Sequence, residues 1–132
     1  MVSLDVAKDL KAAGWPQDVN TRIYAVDECD GVQMWYCLHG PHETNLDQYA
    51  APSLEHLLAE LPSFFEIEDE YYGLALLKDD PTFAGEPQEY VCGTQPVVCT
   101  DNWPALFRDE NPADAAALLW IWNRNRMDME HE

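Results

Sequence analysis

The chain has 132 residues, 47% of them hydrophobic, with five Trp, six Tyr and four Phe, which suits one packed domain burying roughly two thirds of its unfolded surface. Twenty-five Asp and Glu stand against seven Lys and Arg, a formal net charge of −18 at pH 7. Such a surface repels nucleic acid and anionic membranes, and the longest apolar run, Ala115 to Trp122, is too short for a membrane span, so neither partner is expected.

Ser3 caps a first helix in which Leu4, Ala7 and Leu10 recur at helical spacing, and Gly14 stops it before Trp15-Pro16. TRIYAVD and VQMWYCL are β-branched and aromatic, and the Glu28-Cys29-Asp30-Gly31 cluster between them predicts a hairpin in which Asp27 faces Val32. HGPHETNLDQYAAP reads as a long loop. Ser53 caps a second helix carrying a stripe of Leu54, Leu57, Leu58 and Leu61, ended by Pro62.

After FFEIEDEYY, residues Tyr71 to Lys78 read as a strand, and EYVCGT with PVVCT as a further strand pair weakened by Pro96. Asn111 caps a last helix, with Pro112 at its first position and Arg124 and Arg126 at its C-terminal end. These elements predict a single α+β domain over residues 1–132, a mostly antiparallel sheet of four to five strands packed by about three helices.

DLKAAGWPQ, YAAPSLEHLLAELP and NPADAAALLWIWNRN together resemble a family of small uncharacterised phage and prophage proteins. In that family a Gly-aromatic-Pro turn follows the first helix, an Ala-Pro-Ser/Thr segment opens a Leu-rich helix, and a Pro-Ala-Asp/Glu-Ala segment opens the last one. The resemblance covers about a third of the chain and its motifs are structural. It implies a mobile-element origin and an accessory role, and it defines no catalytic residue.

No motif of established chemistry stands out. The three serines are Ser3 and Ser53, both helix caps, and Ser63 after Pro62, with no G-x-S-x-G around any of them. Six glycines include no G-x-G, which disfavours a nucleotide loop. Asp27 to Gly31 lacks the alternating oxygen ligands of a calcium loop. Cys37 beside His39 or His42 has no recognisable orienting group for nucleophilic catalysis. The expectation is a protein that is not an enzyme.

The strongest metal candidate is zinc held by Cys37, His39 and His42, joined by Cys92 and Cys99 if EYVCGT and PVVCT form a hairpin. Against it stands the ordinary fate of reduced cysteines as small core residues. The chain opens with a charged, amphipathic segment instead of a secretory signal, so a cytoplasmic protein with free thiols and no cofactor is expected.

The charge admits three readings: solubility alone, adaptation to high salt, or imitation of nucleic acid to occupy a basic groove on a host protein, such as a defence nuclease complex. The segment Phe64 to Tyr72 bears on the third. If it is extended, Glu66, Glu68 and Glu70 share one face roughly 6.7 Å apart while Phe65, Ile67 and Asp69 share the other. Glu66, Glu68, Asp69 and Glu70, with Asp79 and Asp80, are therefore the candidate partner-binding residues. Protection of an edge strand by charge explains the same local pattern. Trp15, Trp35 and Trp103 are further candidate anchors, more simply read as packing.

Overall fold

A computed structural model describes residues 1–17, 22–29, 32–39, 47–79, 85–97 and 103–130, with the backbone alone described at 27–29, 32–39 and 128–130. Ser3 Oγ accepts from the Val6 N–H at 3.4 Å and opens α1 (Leu4–Ala12). Gly14 closes it at φ 99°, its N–H donating to the Lys11 carbonyl at 3.1 Å while the Trp15 N–H reaches the Leu10 carbonyl at 2.9 Å. That pair of bonds is a Schellman stop, and it delivers Trp15 into the core.

β1 (Arg22–Cys29) pairs antiparallel with β2 (Val32–His39) on one side and with β3 (Asp47–Ala51) on the other. Cys29 faces Val32 and Asp27 faces Met34, so the hairpin is two residues longer than the expected Asp27-to-Val32 closure. A shift of two preserves the alternation, where a shift of one would invert every side chain. Ile23, Tyr24, Ala25 and Val26 are all buried, so both faces of β1 are covered.

Part of the expected HGPHETNLDQYAAP loop is thus a strand. Asp, Gln and Ala are poor strand formers, and β3 exists because β1 offers it an edge. The Leu-rich helix is α2 (Leu54–Glu60), with Ser53 Oγ accepting from the His56 N–H at 3.2 Å.

A second sheet follows, in the order β4 (Phe64–Ile67), β5 (Glu70–Asp79), β6 (Glu89–Pro96) and β7 (Leu106–Asp109), all antiparallel. The expected EYVCGT–PVVCT pair is overturned, because β6 runs through Pro96 and takes β5 and β7 as neighbours. Among the described residues seven strands form one sheet of three and one of four, in place of a single sheet of four to five.

α3 (Pro112–Glu130) starts where Asn111 Oδ1 accepts from the Ala113 N–H at 3.0 Å, and it continues past the expected end, leaving Arg124 and Arg126 inside it. Ala115, Ala116 and Ala117 are fully buried, so small side chains let α3 pack closely on β6, β7, α1 and α2. One buried cluster draws Leu10, Ile23, Ala51, Leu57, Phe65, Cys92 and Leu119 from both sheets and all three helices. The α+β architecture therefore rests on a shared core.

Candidate partner-binding surface

The acidic segment folds back on itself. Phe64 faces Gly73, Phe65 faces Tyr72, Glu66 faces Tyr71 and Ile67 faces Glu70, with Glu68 and Asp69 left as a two-residue turn. Both turn residues have positive φ, 51° and 66°, as the tight turn that suits the twist of a hairpin requires. The expected row of Glu66, Glu68 and Glu70 is therefore absent. Directly opposed residues share a face, so Glu70 lies with Ile67 and Phe65, whereas Glu66 lies with Phe64 and Tyr71 on the opposite one.

The hairpin is moored from behind. Phe65 is 1% exposed and meets Trp122 edge-on at 6.5 Å between ring centroids. Arg126 stacks over Trp122 at 5.3 Å and donates through Nη1 to the Glu66 carbonyl at 3.0 Å. On β5 the Tyr72 hydroxyl donates to Glu70 Oε2 at 3.0 Å, and that bond to a carboxylate holds the phenol above its usual pKa. Glu66, Glu68 and Asp69 are exposed and have no ion-pair partner among the described residues. With Arg126 they border a depression of about 480 Å³ between the turn and α3.

Strand alternation divides the four-stranded sheet into two faces. Phe65, Ile67, Tyr72, Leu74, Leu76, Cys92 and Phe107 belong to the inward face, which joins the core. The outward face carries Phe64 at 69% exposure, Tyr71 at 61%, Leu77 at 48% and Leu106 at 47%. Ala75 and Val91 lie buried on that face, outside the core cluster. Trp103 lies beside Gly93, where an added Cβ would meet Trp103 Cε3 at 3.1 Å. Of the three tryptophans outside α3, Trp15 is core, Trp103 belongs to this face, and only the backbone of Trp35 is described.

Sequence reasoning missed this apolar face. The signal was the alternation itself: Phe64 and Tyr71 sit one position out of step with Phe65 and Tyr72, and only one of each pair can enter a core.

Asp79 does not extend the acidic turn. It stands nine residues beyond Glu70 on the same strand, about 30 Å away, and its carboxylate is paired with the Arg108 guanidinium of β7. Asp80 lies outside the described residues.

The cysteine and histidine candidates divide in the same way. Cys92, on β6, is fully buried among apolar side chains, and burial pushes its thiol up to about 11. A thiol in that setting is poorly suited to zinc, which binds thiolate. Cys37 and His39 lie on β2 of the other sheet, opposite Tyr24 and Arg22, and His42 and Cys99 fall outside the described residues. Among the described residues no three His, Cys, Asp or Glu side chains are grouped to hold a metal ion, and no helix is long and apolar enough to cross a membrane.

No family model, no curated protein and no solved structure matches this chain.

Proposed function

We propose that the chain is a non-enzymatic binding module that captures another protein with the outward face of the four-stranded sheet and the acidic turn at its end. The observation that carries this reading is the gathering of Phe64, Tyr71, Leu77 and Leu106 on one exposed face. At about 3.3 Å of strand length per residue and about 4.8 Å between strands, β4 to β7 present roughly 400 Å² of sheet face. That is about half of the roughly 800 Å² per partner of a standard interface, and the acidic turn adds to it.

Charge selects the partner. A second copy would bring −18 against −18 and set acidic turn against acidic turn, so self-association is disfavoured. A protein with an apolar patch edged by Lys and Arg is complementary, since Glu66, Glu68 and Asp69 are exposed at the turn beside Phe64 and Tyr71. Nucleic-acid-binding proteins present such basic grooves, and the resemblance to phage proteins points to a host defence nuclease complex in the cytoplasm as the target. The hairpin replaces a strand-like row of charge with a compact finger, so this mimicry is of local charge and not of backbone spacing.

The test is affinity capture from host lysate with the parent chain and two variants, followed by titration of the captured protein. Reversing Glu66, Glu68 and Asp69 to Lys should weaken binding at least tenfold and flatten its salt dependence. Changing Phe64 and Tyr71 to Ser should weaken it comparably without lowering the melting temperature. A partner held equally well by both variants overturns the surface assignment. Failure of DNA or RNA to compete would remove the mimicry while leaving the docking face intact.

A further inference from the structure

A second concavity lies on the helical side of the molecule and meets the depression beside the acidic turn at Asn123 and Met127. It is a cleft of about 430 Å³ among the turn after α1, α2 and α3, and its walls include Trp15, His56, Glu60, Trp120 and Arg124. The volume falls in the range of small-molecule sites, which bring a few polar groups to aromatic walls. Trp15 forms the back of that wall. Its ring meets His56 at 5.3 Å and 65°, and Trp120 at 4.9 Å and 76°, so Trp15 packs edge to face on both neighbours.

Two polar groups of these side chains lack protein partners among the described residues. The Trp15 indole Nε1–H is buried and has no acceptor among them. Arg124 is exposed, and on a chain with twenty-five carboxylates none among the described residues lies within ion-pair distance of it. Its guanidinium stands 3.9 Å from where a Cβ on Gly14 would be, so the glycine that ends α1 also leaves space beside the cation. Glu60 across the cleft already faces His56 Nε2 at 4.0 Å, a contact that becomes an ion pair when the imidazole is protonated.

We infer that this cleft binds a small aromatic carboxylate, its ring against the Trp15–His56–Trp120 wall and its carboxylate on the Arg124 fork. The planar guanidinium matches a carboxylate with two parallel hydrogen bonds. The global charge does not forbid an anion there, because beyond about 8 Å it is screened at physiological salt while Arg124 acts at contact. A cationic ligand meets repulsion from Arg124 and attraction from Glu60 on the opposite wall, so a cationic analogue is the control that separates the two ends of the cleft.

The experiment titrates the full chain with benzoate, benzamide and benzylammonium, following the five indole N–H signals by nuclear magnetic resonance, with Trp15→Phe and Trp120→Phe assigning two of them. Benzoate should shift the Trp15 and Trp120 signals saturably, at least tenfold more tightly than benzamide, with benzylammonium weaker still. Arg124→Gln should lose at least tenfold in benzoate affinity at an unchanged melting temperature. Absence of a saturable shift, equal binding of benzamide, or undiminished binding by Arg124→Gln overturns the inference.

Discussion

The backbone N–H of Ser3 donates to Asp114 Oδ1 at 2.7 Å, tying the cap of the first helix to the first turn of the last. Asp114 is 5% exposed, and burial pushes its carboxyl above the usual value despite the opposing hydrogen bonds from Ser3. The folded state therefore holds this proton more tightly than the unfolded chain does. The stability it contributes is complete below the unfolded carboxylate pKa of about 3.9 and is lost as pH rises through the folded value. Asp114→Asn keeps an acceptor for Ser3 and removes the titration, so it should flatten that loss and stay within about 1 kcal/mol of the parent at neutral pH. Asp114→Ala orphans the Ser3 N–H and should cost about 1–3 kcal/mol. Urea unfolding of the three proteins at acidic and neutral pH checks both.

Glu68 and Asp69 hold left-handed backbone at a turn where Asn-Gly is preferred. Replacing Glu68 with Asn and Asp69 with Gly should raise stability by about 1 kcal/mol, since a left-handed Glu is strained. The same change removes two carboxylates from the proposed interface, so stability and partner affinity should move in opposite directions. Thermal denaturation beside a binding titration reads both quantities.

Gly93 and Gly73 face each other's strands with opposite tolerance. A Cβ on Gly93 would overlap the Ala105 carbonyl oxygen, a backbone atom held by its bond from the Thr94 N–H at 3.0 Å. Gly93→Ala should therefore cost at least about 2 kcal/mol by forcing β6 and β7 apart. No described residue lies within 4 Å of a Cβ on Gly73, and Gly73→Ala should fall within about 0.5 kcal/mol of the parent. Chemical denaturation of the pair measures the contrast.

The Cys92 thiol, pushed up to about 11 by burial, should resist alkylation in the native state. A short iodoacetamide pulse near neutral pH, with peptide mapping, should modify Cys92 at least about a hundredfold more slowly in the folded protein than in urea. Comparable rates would show that the inward face of β6 opens readily.

Local chemistry made much of the fold legible. Ser3, Gly14, Ser53 and Asn111 mark helix ends because capping depends on residues within three or four positions. The Leu stripe of α2 declares burial by its period, and the unbroken apolar run Ala115 to Trp122 does so for α3. β3 and β7 were not legible, since DQYAA and LFRD have little strand character until β1 and β6 offer them edges. For the candidate site, the residues of FFEIEDEYY were visible but their geometry was not. Alternation assumes an unbroken strand, and nothing in Glu68-Asp69 announces a turn that Asn-Gly would have.

Residue chemistry and short-range periodicity are enough to specify the helix ends, the excess of negative charge and the supply of aromatic side chains. Which aromatics are left outside is a matter of register: the reversal at Glu68-Asp69 puts Phe64 and Tyr71 on the outward face and sends Glu66 and Glu70 to opposite sides. Pairing over long range also holds Asp79 with Arg108 at the far end of the sheet and gathers Trp15, His56, Trp120 and Arg124 around one cleft. These relations join residues far apart in the chain, where the energy of a contact depends on the packing of the whole and no local pattern carries it.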